Sequence, residues 1–587
     1  MATMIRLLLL GTSVLVLAGM WPGQATVSPQ EKPADARLRR PIALTLSDGG
    51  KRLLVANRDS GTVTVLDTQR LRVVAETRFG RRLSDLAATP SGGLLLVTDE
   101  EAGEVVMLSH QQGVLRELRR VKVGLSPVGV SVSADGSLAA VACLWPRRLM
   151  ILDLAAKPEP APAIVDLPFA PRRLLLVPDS SKVIVADAFG GHLAVVDIRR
   201  KEIDSVRSLA VHNMRGLALD RQRKTLLLTH QVLHGQGRTT RGDITTSNLI
   251  TNNVRKLSLA AVLDPRADIV RDENLYALGD VERGAGDPAE VAESPDGQLL
   301  VALAGVNELA VGRPGEVIWT RLAVGARPTT FVVDEPRRRV YVANTLGDSI
   351  SVVDLQGPKV VNEVRLGQRV ELRPEERGEM LFYDARLSFE SWFSCHSCHP
   401  DGHTNGRLND NFSDGSFGTP KRVLSLLGAK DTGPWAWNGL MPDLETQVRA
   451  SLKSTMQGPT PSAEKIRDLT AFLRTLSPPP SLLKARETVD EAALKRGRKV
   501  FAREKCATCH TPPTYTTPKA YDVGLRDELG GTHFNPPSLR GVSQAGPYFH
   551  DNRALTLDEV FTRYRHQLAG KLSKEEVCDL LYFLRSL

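Results

Sequence analysis

Cysteine is scarce: six in 587 residues, too few for a fold held together by disulfides. Aromatic residues make up only 5% of the chain. Beyond the N-terminus no apolar run reaches the roughly 18 residues a membrane helix needs, so the mature chain is expected to hold no membrane span. Lys and Arg exceed Asp and Glu by 76 to 67. That excess is scattered, with no basic run interleaved with aromatics, so nucleic acid is not an expected partner. Hydrophobic residues at 42% and charged residues at 24% describe an ordinary globular chain. What is plentiful is Gly (47) and Pro (36), the residues of turns. The length suggests several domains.

The N-terminus sets the compartment. A single Arg6 precedes the apolar run Leu7–Ala18, and Gly23-Gln24-Ala25 supplies small residues for cleavage. Residues 1–25 read as a secretory signal and 26–40 as a linker, which predicts a periplasmic or otherwise exported protein.

From 41 to 367 the sequence repeats. Arg52-Leu-Leu-Val-Ala-Asn57 is followed by Gly61-Thr-Val-Thr-Val-Leu-Asp67, and Val340-Tyr-Val-Ala-Asn344 by Ser349-Ile-Ser-Val-Val-Asp354. Similar pairs recur between them at about 40–45 residues, the period of a four-stranded propeller blade. Each unit is a β-branched run, a polar turn and an alternating strand ending in Asp, which is hairpin grammar. Seven units predict an all-β seven-bladed propeller that closes on itself. Tyr341-Val-Ala-Asn344 and its counterparts resemble the YVTN family of propeller repeats. The fifth unit breaks the period with about 25 extra residues within 231–280, read as a functional loop or a disordered excursion. His230 and His234 have metal-like spacing there, but two histidines without a third ligand read better as structural.

The remaining 220 or so residues carry the chemistry. Cys395-His-Ser-Cys398-His399 and Cys506-Ala-Thr-Cys509-His510 each have the Cys-x-x-Cys-His spacing of covalent haem attachment. In that pentad the thiols form thioethers and the adjacent His binds iron. A redox dithiol has no need of the His, and a zinc site needs a second ligand pair. Two haem-bearing segments are also copies of one another. The pentads lie 111 residues apart, and Ile466–Leu476 matches Val577–Leu587 at the same offset with six of eleven residues identical. Val577, Leu580, Leu581 and Leu584 form a helical stripe, begun by a Ser573/Glu576 capping box. The reading is two all-α, class-I-like cytochrome c domains, 370–480 and 481–587, joined by Pro478–Pro480. Cys143 and Cys578 read as buried thiols.

Asn535-Pro-Pro-Ser-Leu-Arg-Gly541, Gly546-Pro-Tyr-Phe-His-Asp551 and Thr556-Leu-Asp-Glu-Val560 resemble the bacterial dihaem cytochrome c peroxidases and the related MauG-type enzymes, which oxidise a partner protein. The resemblance implies an oxidoreductase with two covalently bound c-type haems. Peroxide would react at the first, through proximal His399, and electrons would enter at the second, through proximal His510. It implies Glu445 as the distal acid–base, with Trp435 in place of the peroxidases' companion Gln, and Trp435 or Trp437 as the relay between haems. His403 stands too near His399 to swing across as a distal ligand, so an open first iron is expected, with Met441 or Met456 as the alternative cap. No Met occurs in Thr562–Leu568 to ligate the second haem; Tyr564 or His566 must serve, which favours ferric iron. Related enzymes hold Ca²⁺ between the two domains, for which Asn409 and Asn411 are candidates. The implied partners are peroxide and a small cytochrome, a cupredoxin or a protein substrate, with the propeller as docking platform. A non-catalytic electron-transfer protein is the alternative from another class.

Overall fold

The computed structural model describes residues 37–157, 160–316, 319–412 and 415–587. The signal at 1–25 and all but the last four residues of the 26–40 linker lie outside them.

Seven four-stranded antiparallel sheets follow one another in chain order, each with its strands in sequential order. They span 41–78, 83–122, 127–166, 171–208, 212–278, 288–323 and 328–365. The repeating residues explain the blade. Second strands such as Arg52–Asn57 carry an unbroken apolar run, Leu53–Ala56, because neighbouring blades bury both faces, whereas the outermost strand Arg72–Arg78 is largely exposed. The Asn that ends a second strand ties the hairpin together: Asn57 Nδ2 donates to Thr62 and Thr64, and Asn344 Nδ2 donates to Ser349 and Ser351. The Asp that ends a third strand turns the chain, as Asp67 Oδ1 accepts from the backbone of Gln69 and Arg70 and Asp197 Oδ1 from Arg199 and Arg200.

No strand is exchanged between the first and last blades. Side chains close the ring instead: Leu53, Val55 and Leu66 pack with Tyr341, Ala343 and Val352. The backbone N–H groups of Arg39 and Arg40 both donate to Asp348, at 3.0 and 2.7 Å. The end of the expected linker is therefore part of the propeller.

The expected excursion in the fifth blade is ordered structure. Thr225–Leu233 and Ile250–Ser258 are nine-residue strands that extend the hairpin past its neighbours, and the loop between them carries the short helix Arg241–Thr245. Leu233, Ile244, Leu249 and Ile250 pack into one cluster with Phe382, Trp392 and Phe393 of the helical half. His230 lies on the first of these strands and accepts from Arg255 Nε at 3.1 Å, while His234 is exposed just past that strand's end.

The helical half repeats one frame twice. Helix Pro374–Phe382 crosses Ala463–Thr475, and Glu491–Arg503 crosses Lys574–Arg585. Arg377 grips Asp468 at 2.7 and 2.8 Å, as Arg496 grips Asp579 at 2.9 Å through both nitrogens. Both crossings close over a glycine. A Cβ on Gly378 would lie 2.0 Å from Asp468 O, and one on Gly497 the same distance from Asp579 O. Gly378→Ala is therefore expected to destabilise the helical half by about 1–3 kcal/mol, despite alanine's helix propensity gain of roughly 1 kcal/mol. A urea denaturation midpoint at or above that of the unsubstituted protein would refute the close crossing. Cys143 is buried, but Cys578 is exposed. It follows Val577 by one position, so the helix turns it off the apolar stripe.

Candidate haem sites

The first pentad forms the one-turn helix Cys395–Cys398, with His399 at its C-terminal end. Cys395, Cys398 and His399 line a cavity whose walls include Phe382, Phe393, Leu452, Met456, Leu469 and Leu473. Burial holds the His399 imidazole down to about 4, so it is neutral, the form that binds iron. Burial also pushes the Cys395 and Cys398 thiols up to about 12. Such a place disfavours thiolate, the form a zinc site or a redox dithiol needs, and suits an uncharged thioether. The residues present fit a covalently attached haem.

The second pentad sits in the apolar cluster of Val500, Phe501, Val560, Leu580 and Phe583. Burial pushes Cys506 up to about 11. His510 Nδ1 lies 3.1 Å from Tyr515 O and donates to it, which leaves Nε2 as the free ligand atom. These residues also fit a haem.

The other expected residues divide. Trp435 and Trp437 both line the first cavity, their indole N–H groups donating to Ala429 O at 3.1 Å and Arg422 O at 2.8 Å. Trp437 faces the second unit: its carbonyl accepts from Asn535 N at 2.7 Å, and its ring lies 6.3 Å from His550. Met456 lines the cavity, whereas Met441 pairs its backbone with Trp435 outside it. Glu445 is not brought into the cavity. It stands exposed on the first turn of helix Leu444–Ala450, whose buried Leu444 and Val448 set the inward face. Gln447 and Ser451, bonded at 3.1 Å, supply polar groups on the cavity wall instead. The heptad phase of Leu444 and Val448 was the signal that could have found them.

His403 is committed elsewhere. Its Nδ1 meets Ser425 Oγ and its Nε2 meets Gln544 O, each at 2.9 Å, and its ring packs on Phe189 and Trp145 of the propeller. At the second pentad, the Tyr564 hydroxyl donates to Arg553 O at 2.6 Å. His566 is held down to about 4 by burial and by the nearby His510, and its ring meets Phe549.

What sequence reasoning missed is the propeller's share. Asp401, two residues past His399, is gripped by Arg172 of the fourth blade and Arg215 of the fifth at 2.5 and 2.9 Å. Arg58 donates to Glu379 at 2.8 Å. Asn252 Nδ2 donates to Trp392 O, and the N–H of Gly284 to Glu390 O. The face of the propeller that bears these residues is thus covered by the unit that carries the first pentad.

These sites decide the comparison. Residues 373–478 match the family model described as di-haem cytochrome c peroxidase. The methylamine utilization protein MauG of Methylorubrum extorquens is 28% identical over 278 residues, which is 37% of this chain and 79% of that one. Cytochrome c551 peroxidase of Nitrosomonas europaea is 26% identical over 268 residues, 36% of this chain and 79% of that protein. Hydrazine synthase subunit gamma of Kuenenia stuttgartiensis is 25% identical over 272 residues, 36% of this chain and 76% of its own. Among solved structures, Kuenenia stuttgartiensis hydrazine synthase aligns over 56% of this chain and 99% of that chain, at 20% identity and a TM-score of 0.47. Peroxidases and MauG proteins are thus about equally similar to the helical half. No helix among the described residues is long and apolar enough to cross a membrane.

Proposed function

We propose that the chain is an exported dihaem c-type oxidoreductase that reduces peroxide at the first pentad with electrons passed through the second. The observation that carries this is the paired placement of half-buried His399 and His510, each held below its ordinary value by burial, beside largely buried cysteines in two helical units of one frame. On this reading 370–480 and 481–587 are both cytochrome c domains. When bound, the two haems supply the one-electron chemistry that peroxide reduction requires.

The chain's own residues divide the work. His399 and His510 would hold the irons, and Cys395, Cys398, Cys506 and Cys509 would fix the porphyrins. Gln447 and Ser451 offer hydrogen bonds inside the first cavity. Glu445, two residues earlier on the same helix, is the proposed proton source, reaching the cavity through water; hydrogen bonds of this kind are often loose before substrate binds. Trp437 stands between the units and is the proposed relay. His566 is the proposed sixth ligand of the second haem, because Tyr564 spends its hydroxyl on Arg553. Asn409 Oδ1 is buried without a hydrogen-bond partner among the described residues, which suits the proposed Ca²⁺ site.

The test is the electron paramagnetic resonance spectrum of the ferric protein before and after one equivalent of peroxide. One high-spin and one low-spin signal, both lost on peroxide addition, are expected. Glu445→Gln should slow that loss by about 10²–10⁴-fold; an unchanged rate removes Glu445 from the mechanism. Two low-spin signals indifferent to peroxide would leave plain electron transfer. Oxidation of a partner protein is the second reading, favoured by Tyr564 and His566 standing where a methionine ligand would raise the potential. A partner would then use surfaces other than the covered face of the propeller.

A further inference from the structure

Behind the first pentad, on the side away from the cavity, sits a carboxylate that belongs to the propeller. Asp287 is 4% exposed and immediately precedes the inner strand of the sixth blade. Its Oδ2 accepts from Ser394 Oγ at 2.5 Å and its Oδ1 from Ser397 Oγ at 2.6 Å. These two serines flank Cys395 and precede Cys398. Two hydroxyl donors on the two oxygens of one carboxyl match a carboxylate, which can only accept.

Two more blade-five side chains complete the clamp: His212 Nε2 donates to Ser397 O at 2.9 Å, and Gln231 Nε2 to Ser397 Oγ at 3.2 Å. Burial raises the Asp287 carboxyl from its ordinary value while the Ser394 and Ser397 hydroxyls, Arg327 and Arg215 draw it back, and Asp287 is among the groups that raise the Cys395 and Cys398 thiols. Arg215 also bonds Asp401. Among the described residues the second pentad has no such clamp: Ala507 and Thr508 stand between its cysteines, and Glu504, which also raises the Cys506 thiol, is paired with Arg503 at 2.9 Å.

Chain geometry supports the asymmetry. Thirteen positions separate Phe382 from Cys395, but only five separate Phe501 from Cys506. The extra segment contains Glu390, Ser391 and Trp392, whose backbone carbonyls bond to the propeller at Gly284, Gly286 and Asn252.

We propose that the propeller sets the electrochemistry of the first haem through Asp287, a positioning residue that clamps the pentad and lowers that haem's reduction potential. Net charge and hydrogen bonding around a haem are levers on its potential. The proposal rests on the reading of both pentads as haem sites, and a haem count separates the two.

The experiment is spectroelectrochemical titration of the dihaem protein carrying Asp287→Asn, which keeps the shape and removes the charge. Pyridine haemochrome first counts the haems; fewer than two in the unsubstituted protein would fault the haem reading itself. With two haems present, the midpoint of the first is expected to rise by about 59 mV or more, a tenfold change for a one-electron couple, while that of the second stays fixed. Unmoved midpoints, or equal movement of both, overturn the proposal. Should Asp287→Asn not fold, Ser397→Ala takes its place. It is expected to move the first midpoint alone, and identical midpoints would overturn the proposal equally.

Discussion

A Cys395→Ala, Cys398→Ala double variant is expected to carry one haem per chain instead of two and to lose peroxide reactivity altogether. The cavity it leaves is walled by Phe382, Phe393, Leu452, Leu469 and Leu473, and without a filling group such a wall loses its packing partners. Helix Ala463–Thr475 contributes Leu469 and Leu473 to that wall and also carries the crossing with Gly378. Its stability should therefore drop with the haem, while the blades, which have their own clusters between neighbouring sheets, hold. The companion variant Cys506→Ala, Cys509→Ala should also carry one haem, yet keep peroxide binding at the first cavity and lose multiple turnover. Haem content by pyridine haemochrome and peroxide consumption check both. Full peroxide turnover in the first variant would place the reaction elsewhere.

The second large effect is acid sensitivity. His212 and His230 are buried and held down to about 3, and His403 to about 4, with burial the leading cause in each. An unfolded chain binds protons at all three near pH 6.5. Their folded values lie below their unfolded ones, so their neutral burial is fully tolerated above about pH 6.5. Stability is lost as the pH falls from there towards 4 for His403 and towards 3 for the other two. Each then costs about 1.4 kcal/mol per pH unit, or about 4 kcal/mol per unit for the three. Asp401, held well below the carboxylate range by Arg172 and Arg215 against the opposing effect of burial, adds its own loss below about pH 4. Urea unfolding at stepped pH measures the slope. A flat stability between about pH 6.5 and 5 would show that these rings are hydrated.

Much of this was legible because it is local. The apolar second strand and the alternating third strand recur at a fixed period, with Asp closing the third strand in the first, third, fourth and seventh blades, so the repeat announces the propeller. The paired final helices announce two helical units of one frame, each carrying a Cys-x-x-Cys-His pentad. Glu445 was read from its place in a motif, but position along a chain does not fix which way a helix turns it; the buried Leu444 and Val448 do. Cys578 was read as buried and is exposed, although Val577, Leu580, Leu581 and Leu584 already defined the opposite face. The clamp on the first pentad was out of reach. Asp287 and Ser394 are 107 positions apart, and Arg172 and Asp401 are 229 apart, distances over which no periodicity speaks.

The unexchanged first and last blades have a consequence for how the molecule is made. A ring whose ends share no strand is a hoop with a seam, and the seam opens where pressure on it is least opposed. Arg58 and Arg40 of the first blade's approach reach Glu379, and Arg327 at the start of the seventh lies over the ring of Tyr383. One short helix and its end, Pro374–Tyr383, thus buckle the two sides of the seam. Because that helix follows all seven blades in the chain, the buckle is synthesised after them. The propeller is complete in sequence before it is fastened, and the fastening is done by the same unit that carries the first pentad.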